Sequence, residues 1–115
     1  MVNRMVKSDL LDRTFSALSD ETRRVMLDRL QLGPASITEL AGGAGISLPG
    51  ALKHVRILEE VRIVTTEKKG RIRECRLGPD GMDDVARWIA THRAVWGRRL
   101  DRLEAVIEQR KGERT

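Results

Sequence analysis

Large rings are scarce in this chain, which holds one phenylalanine, two tryptophans and no tyrosine. A core so poor in aromatics must be filled by Leu, Ile, Val and Met, which suits packed helices better than a β-sandwich. Cysteine is scarcer still: Cys75 stands alone, with no second thiol for an intramolecular disulfide. No stretch approaches the ~18 consecutive apolar residues that a membrane span requires. The opening MVNRMVKSDL has cations but no apolar run of about 7–15 residues behind them, so no secretion signal is read there and a reducing cytoplasm is the expected setting. Catalytic signatures are missing too. There is no His-Glu metal motif, no nucleotide-binding loop and no nucleophile paired with a base, so neither an enzyme nor a bound cofactor is expected. Gly42-Gly43-Ala44-Gly45 lacks both the preceding strand and the following Lys-Ser/Thr of a phosphate cradle, and reads as a turn.

What the chain has in excess is positive charge, unevenly placed. Lysine and arginine number 22 against 17 acidic residues, a net +5 over 115 positions. The segment KKGRIRECR from Lys68 to Arg76 holds five of those cations and a single anion, which leaves the remainder nearly neutral. A local cationic patch of this kind points to a polyanionic partner.

Periodicity divides the chain into helices and one hairpin. Leu11, Phe15 and Leu18 share one face of a short helix that Ser8 or Asp9 can cap. Ser19 and Asp20 interrupt that pattern, and Met26, Leu27 and Leu30 form the stripe of a second helix, ended by Gly33-Pro34. Ser36, three residues before Glu39, has capping-box spacing and opens a helix of barely two turns. After the glycine-rich turn, Ser47 is a good N-cap and Pro49 falls in the first turn of a helix from about Leu48 to Val61. The β-branched runs Val64 to Glu67 and Ile72 to Leu77, separated by Lys68-Lys69-Gly70-Arg71, read as a hairpin. From Met82 to Lys111 apolar residues recur at helical spacing, a helix of roughly 28 residues and so about 42 Å long. A domain of this size has a radius of gyration near ~13 Å. One copy cannot cover such a helix, so a homodimer is expected, buried through Ile89, Trp96, Leu100, Leu103 and Ile107, with Leu11 and Phe15 of the first helix joining them.

Two helices joined by a short glycine-containing turn form a helix-turn-helix, whose second helix enters the major groove of DNA. On the reading helix, Ala51, Val55 and Leu58 fall in one narrow arc, while Leu48, Pro49, Leu52, Lys53 and Arg56 fall in a neighbouring one. The first arc packs and the second can meet DNA. Lys53 and Arg56 can reach phosphates or guanine acceptors, and Ser47 can hold a phosphate at the helix N-terminus. Leu48, Pro49 and Leu52 offer only apolar contact, for instance with thymine methyls. His54 has two open readings, phosphate contact or helix packing. At the hairpin, Lys68, Lys69, Arg71 and Arg73 can clamp the flanking backbone or enter a minor groove.

Taken together, TFSALSDETRRVMLDRL at 14–30, SITELAGGAGISLPGALKHVRILEE at 36–60 and KKGRIRECRL at 68–77 resemble the ArsR/SmtB family of regulators, in its members without a recognisable metal site. The resemblance spans roughly residues 10 to 110. It implies a mainly α (α+β) winged helix-turn-helix fold, about five helices and a two-stranded β-hairpin wing in the order α-α-α-α-β-β-α. Residues 1–9 would be a flexible lead, 10–111 one DNA-binding and dimerisation domain, and 112–115 a flexible tail. It further implies a homodimer that represses transcription from a two-fold symmetric operator on double-stranded DNA, with no membrane partner and no named effector. Ser47, Pro49, Lys53 and His54 match the family's S-x-P-x-x-S-K-H pattern, whereas Leu52 stands where a serine is usual and Gly50 where the side chain is usually larger.

Metal sensing is disfavoured, because Ser36 and Thr38 stand where thiophilic-metal members carry cysteines and the last helix has only His92 where zinc sites need two histidines. His92 reads as a packed or solvated side chain, and Glu104 with Glu108 as a wet helical face. Cys75 lies among guanidinium groups that would lower its pKa, but strand alternation can point it inward as filler. Two other functions compete with a sequence-specific regulator. One is a nucleoid-type protein that binds any nucleic acid through the basic hairpin, and the other is a winged-helix adaptor that binds only protein.

Overall fold

A computed structural model of the chain describes residues 2–113, with side chains for 9–99 and 101–112. Two units are distinguished, one running to Asp84 and one from Val85 onward. The first contains α1 (Val2–Leu18), α2 (Glu21–Leu30), β1 (Ala35–Ser36), α3 (Ile37–Ala44), α4 (Leu48–Glu60), β2 (Val64–Lys69) and β3 (Ile72–Leu77); the second holds α5 (Asp83–Glu113) apart from its first two residues. This is a winged helix-turn-helix, mainly helical, with a small antiparallel sheet ordered β1-β3-β2.

Local chemistry sets most boundaries. Asp20 caps α2 by accepting the Arg23 amide at 3.0 Å, and that bond, ahead of the Arg23 charge, holds its carboxyl below the usual range. Ser36 caps α3 through the Glu39 amide at 3.0 Å, but the expected capping box is only half made, because Glu39 turns to Arg29 at 3.4 Å instead. α4 ends on Arg62 in the left-handed region, φ 65°, and Ile63 donates to the Leu58 carbonyl at 3.0 Å, closing the helix in the manner glycine usually serves. The chain returns against that corner at Gly78, whose amide donates to the Ile63 carbonyl at 2.7 Å. A Cβ added at Gly78 or Gly81 would collide with the Arg62 carbonyl oxygen, so both positions require glycine's bare backbone.

Met26, Leu40, Val55, Leu58, Val64 and Cys75 are fully buried and fill one core between α2, α3, α4 and the sheet. Each such aliphatic side chain stabilises the fold by roughly 1.5–3 kcal/mol relative to exposure.

Three expectations are corrected. The sheet has a third strand, β1, in which Ala35 pairs with Cys75 and Ser36 with Glu74. α1 starts at Val2, ahead of the Ser8 or Asp9 cap. Its buried residues are Thr14 and Ala17, 3% and 1% exposed, with Leu18 partly buried against the same core, whereas Phe15, expected at a dimer contact, is exposed. The Thr14 hydroxyl donates to the Leu10 carbonyl at 2.7 Å and so is buried without an unpaired group. Finally, the hairpin is longer than read: Lys68 pairs with Arg73 and Lys69 with Ile72, leaving Gly70-Arg71 as a two-residue reversal with Gly70 at φ 63°.

Candidate nucleic-acid interface

The turn between α3 and α4 is made by Gly45, which sits in the left-handed region at φ 67°, while the Ile46 amide donates to the Ala41 carbonyl at 3.0 Å. Ser47 then caps α4 by accepting the Gly50 amide at 3.2 Å. The two arcs expected on α4 are separated as drawn. Ala51, Val55 and Leu58 are buried in the core, and Ser47, Leu48, Pro49, Lys53 and Arg56 are exposed. Leu52 is intermediate, with one side packed on the core and the other on the open face.

The wing stands beside that face. Leu48 and Leu52 of α4, Ser36, Ile37 and Thr38 at the start of α3, and Arg71, Ile72 and Arg73 of the wing line one groove of about 380 Å³. A smaller polar recess of about 130 Å³ next to it is lined by Arg56, Glu59 and Arg73 together with Leu52, Val55 and Ile37. Reading helix and hairpin thus present one concave, cationic surface.

The hairpin's cations are not equivalent. Glu74 accepts from Lys69 at 3.2 Å and from Arg76 at 2.5 Å, and those bonds, Arg76 first, hold its carboxyl below the usual range. Arg76 also faces Glu67 at 3.9 Å. Arg73 donates to the Thr66 hydroxyl at 2.8 Å, and that hydroxyl donates to Glu59 of α4 at 3.0 Å, a relay that ties both wing strands to the reading helix. Among the described residues Lys53, Arg56, Lys68 and Arg71 are exposed and engaged in no ion pair or side-chain hydrogen bond.

His54 is drawn away from the open face. Its Nδ1 meets the Arg23 guanidinium at 3.2 Å; since Arg23 can only donate, Nδ1 accepts and Nε2 carries the proton of the neutral ring. Arg23 also donates to the carbonyls of Ala17 at 2.6 Å and Ser16 at 3.2 Å, so one side chain joins the end of α1, the start of α2 and the middle of α4. Arg23, Glu59, Thr66 and Ile72 were not singled out from the sequence. Only Ile72 carried a signal, as the apolar outward residue of an alternating basic strand.

Cys75 is 0% exposed, and burial, reinforced by Glu59, pushes its thiol up to about 11, which suits filler and not a reactive thiolate. On α5, His92 stacks on Trp88 at 3.9 Å between ring centroids and donates from Nδ1 to the Trp88 carbonyl at 2.8 Å. Of the residues assigned to a dimer contact, Leu11 is intermediate and Phe15 exposed on α1, and Ile89, Trp96, Leu103 and Ile107 are exposed on α5. The side chain of Leu100 lies outside the described residues.

Residues 18–67 match the family described as a helix-turn-helix domain. The chain is 37% identical over 71 residues to the HTH-type transcriptional regulator Rv2034 of Mycobacterium tuberculosis, a match covering 62% of this chain and 66% of that protein. It is 29% identical over 79 residues to the transcriptional repressor SdpR of Bacillus subtilis, covering 69% of this chain and 88% of the repressor. The crystal structure of the ArsR family transcriptional regulator RHA00566 is similar with a TM-score of 0.71 and 37% identity, over 78% of this chain and 93% of that one.

Proposed function

We propose that this chain, which belongs to the ArsR family of transcriptional regulators, binds duplex DNA as a homodimer and represses transcription from a two-fold symmetric site. Its helix-turn-helix is a DNA-binding domain, and the family is one of transcription regulators, not of enzymes. One observation carries the DNA-binding assignment: the outer face of α4 and the wing beside it expose Lys53, Arg56, Lys68 and Arg71, four cations with no internal ion pair, next to a groove that both elements line. Lys53 and Arg56 act at base edges and nearby phosphates. Lys68, Lys69, Arg71 and Arg73 hold the flanking backbone, and Ser47, Leu48, Pro49 and Leu52 complete the reading face, with His54 behind it on Arg23.

The dimer is supported by α5, whose 31 residues carry Ile89, Trp96 and Leu103 at seven-residue intervals, exposed by 45%, 58% and 56%. A stripe that regular covers itself by meeting its own copy. Residues 10–111 then serve both reading and dimerisation, and the two reading helices fall ~34–36 Å apart in successive major grooves. Repression follows when such a dimer occupies the promoter, and the Bacillus relative is itself named a transcriptional repressor. Selection of bound fragments from a random DNA pool, paired with sedimentation of the free protein, is the test. A recovered inverted repeat and a dimer are expected. Equal affinity for all duplexes, or a monomer that retains no DNA in dilute buffer, removes the proposal.

A further inference from the structure

We infer that the reading face selects thymine by its C5-methyl group, seated in an apolar notch formed by Leu48 and Leu52 of α4 with Ile72 of the wing. The inference rests on the DNA-binding role proposed above and names what that site reads. Leu48 is 46% exposed and Ile72 57%, yet both line one groove of about 380 Å³ with Leu52 between them and the core. An apolar notch flanked by Arg71 and Arg73, on a face where α4 also exposes Lys53 and Arg56, needs an occupant that is anionic around its edge and apolar at its centre. The major groove of DNA meets both conditions, and the one apolar group its bases present there is the thymine methyl.

The polar side chains at the front of α4 leave little else to read with. Helix-turn-helix proteins contact bases with the first residues of the second helix. Here those are Ser47, whose hydroxyl already accepts the Gly50 amide at 3.2 Å, followed by Leu48, Pro49, Gly50, Ala51 and Leu52. Pro49 and Gly50 have no side-chain donor, and Ala51 is buried. Hydrogen-bonding side chains resume only at Lys53 and Arg56. Leu48 and Leu52 lie four residues apart, about 6 Å along the helix axis. That distance is less than two base steps of ~3.4 Å, so the thymines they touch fall within two steps of each other.

The experiment alters the DNA first and leaves the protein intact. In the duplex recovered from the random pool, each thymine is replaced singly by deoxyuridine, which lacks only the methyl, and binding is followed by fluorescence anisotropy. One or two positions per half-site should lose about fourfold in affinity, the transfer value of one buried methyl. At those positions cytosine should bind worse than 5-methylcytosine, which restores the methyl without thymine's carbonyl. Leu48→Ala, at an exposed site outside the core, should erase the thymine–uracil contrast at one position, and Leu52→Ala at the other. A duplex whose thymines all tolerate uracil overturns the inference while the proposed function stands, as does a contrast that survives in both variants. Failure to recover any duplex overturns the proposed function itself, and the apolar notch then belongs to a protein partner.

Discussion

The division of the cations into free and paired makes salt dependence the sharpest test. Lys53, Arg56, Lys68 and Arg71 give four free positive groups per subunit and eight per dimer. Each phosphate neutralised releases condensed counterions, so log K falls with log salt at about −0.9 per contact, and eight contacts predict a slope of about −7. Between about 50 and 200 mM NaCl the affinity should then drop ~10⁴-fold. Arg71→Ala removes two contacts from the dimer and should bring the slope to about −5.4. Lys69→Ala should change it less, because Glu74 already holds that ammonium at 3.2 Å. Glu74→Gln releases Lys69 and leaves Arg76 only its longer pair with Glu67 at 3.9 Å, so it should steepen the slope and tighten binding. Anisotropy titrations of one labelled duplex across the salt range supply all four numbers. If Lys69→Ala flattens the slope as much as Arg71→Ala, or Glu74→Gln leaves it unchanged, the argument from internal pairing is refuted.

Three further outcomes are expected. Gly81→Ala should cost about 1–3 kcal/mol in urea denaturation, because its Cβ would strike the Arg62 carbonyl, whereas Gly43→Ala, whose Cβ meets nothing within 4 Å, should stabilise by up to about 1 kcal/mol. Cys75 should resist alkylation at about pH 8 in the native protein, since its thiol is buried and titrates near 11 against a usual 9.0. Between those two values the unfolded chain has lost a proton that the folded one keeps, so the urea midpoint should fall as pH rises, and Cys75→Ala should remove that component; a midpoint equally pH-dependent in both proteins contradicts it. Leu103→Ala takes an apolar side chain from both copies of the α5 contact and should weaken dimerisation at least ~100-fold by sedimentation. An unchanged association constant would place the interface elsewhere.

The reading helix was legible in the sequence because its determinants are local. Ser47 and Pro49 mark its start, and a 100° step sorts Ala51, Val55 and Leu58 from Lys53 and Arg56 without knowledge of any neighbour. Long-range features were not. β1 is two residues long, too short for any period, and exists only because Cys75 and Glu74 of β3 lie opposite it. The buried residues of α1, Thr14 and Ala17, escape a count of large apolar residues, because neither is large. Five cations in the hairpin read as one patch; only the fold shows that Glu74 ties up two of them. His54 was open between two roles, and Arg23, 31 positions earlier, decides what its Nδ1 does.

The separation of duties along α4 also bears on descent. Ala51, Val55 and Leu58 are engaged with the core, whereas Leu48, Lys53 and Arg56 are exposed and lie outside it. Duplicated copies of such a gene can therefore drift apart in the promoters they govern while keeping one shared scaffold. Leu52, half in each camp, is where retargeting would meet resistance.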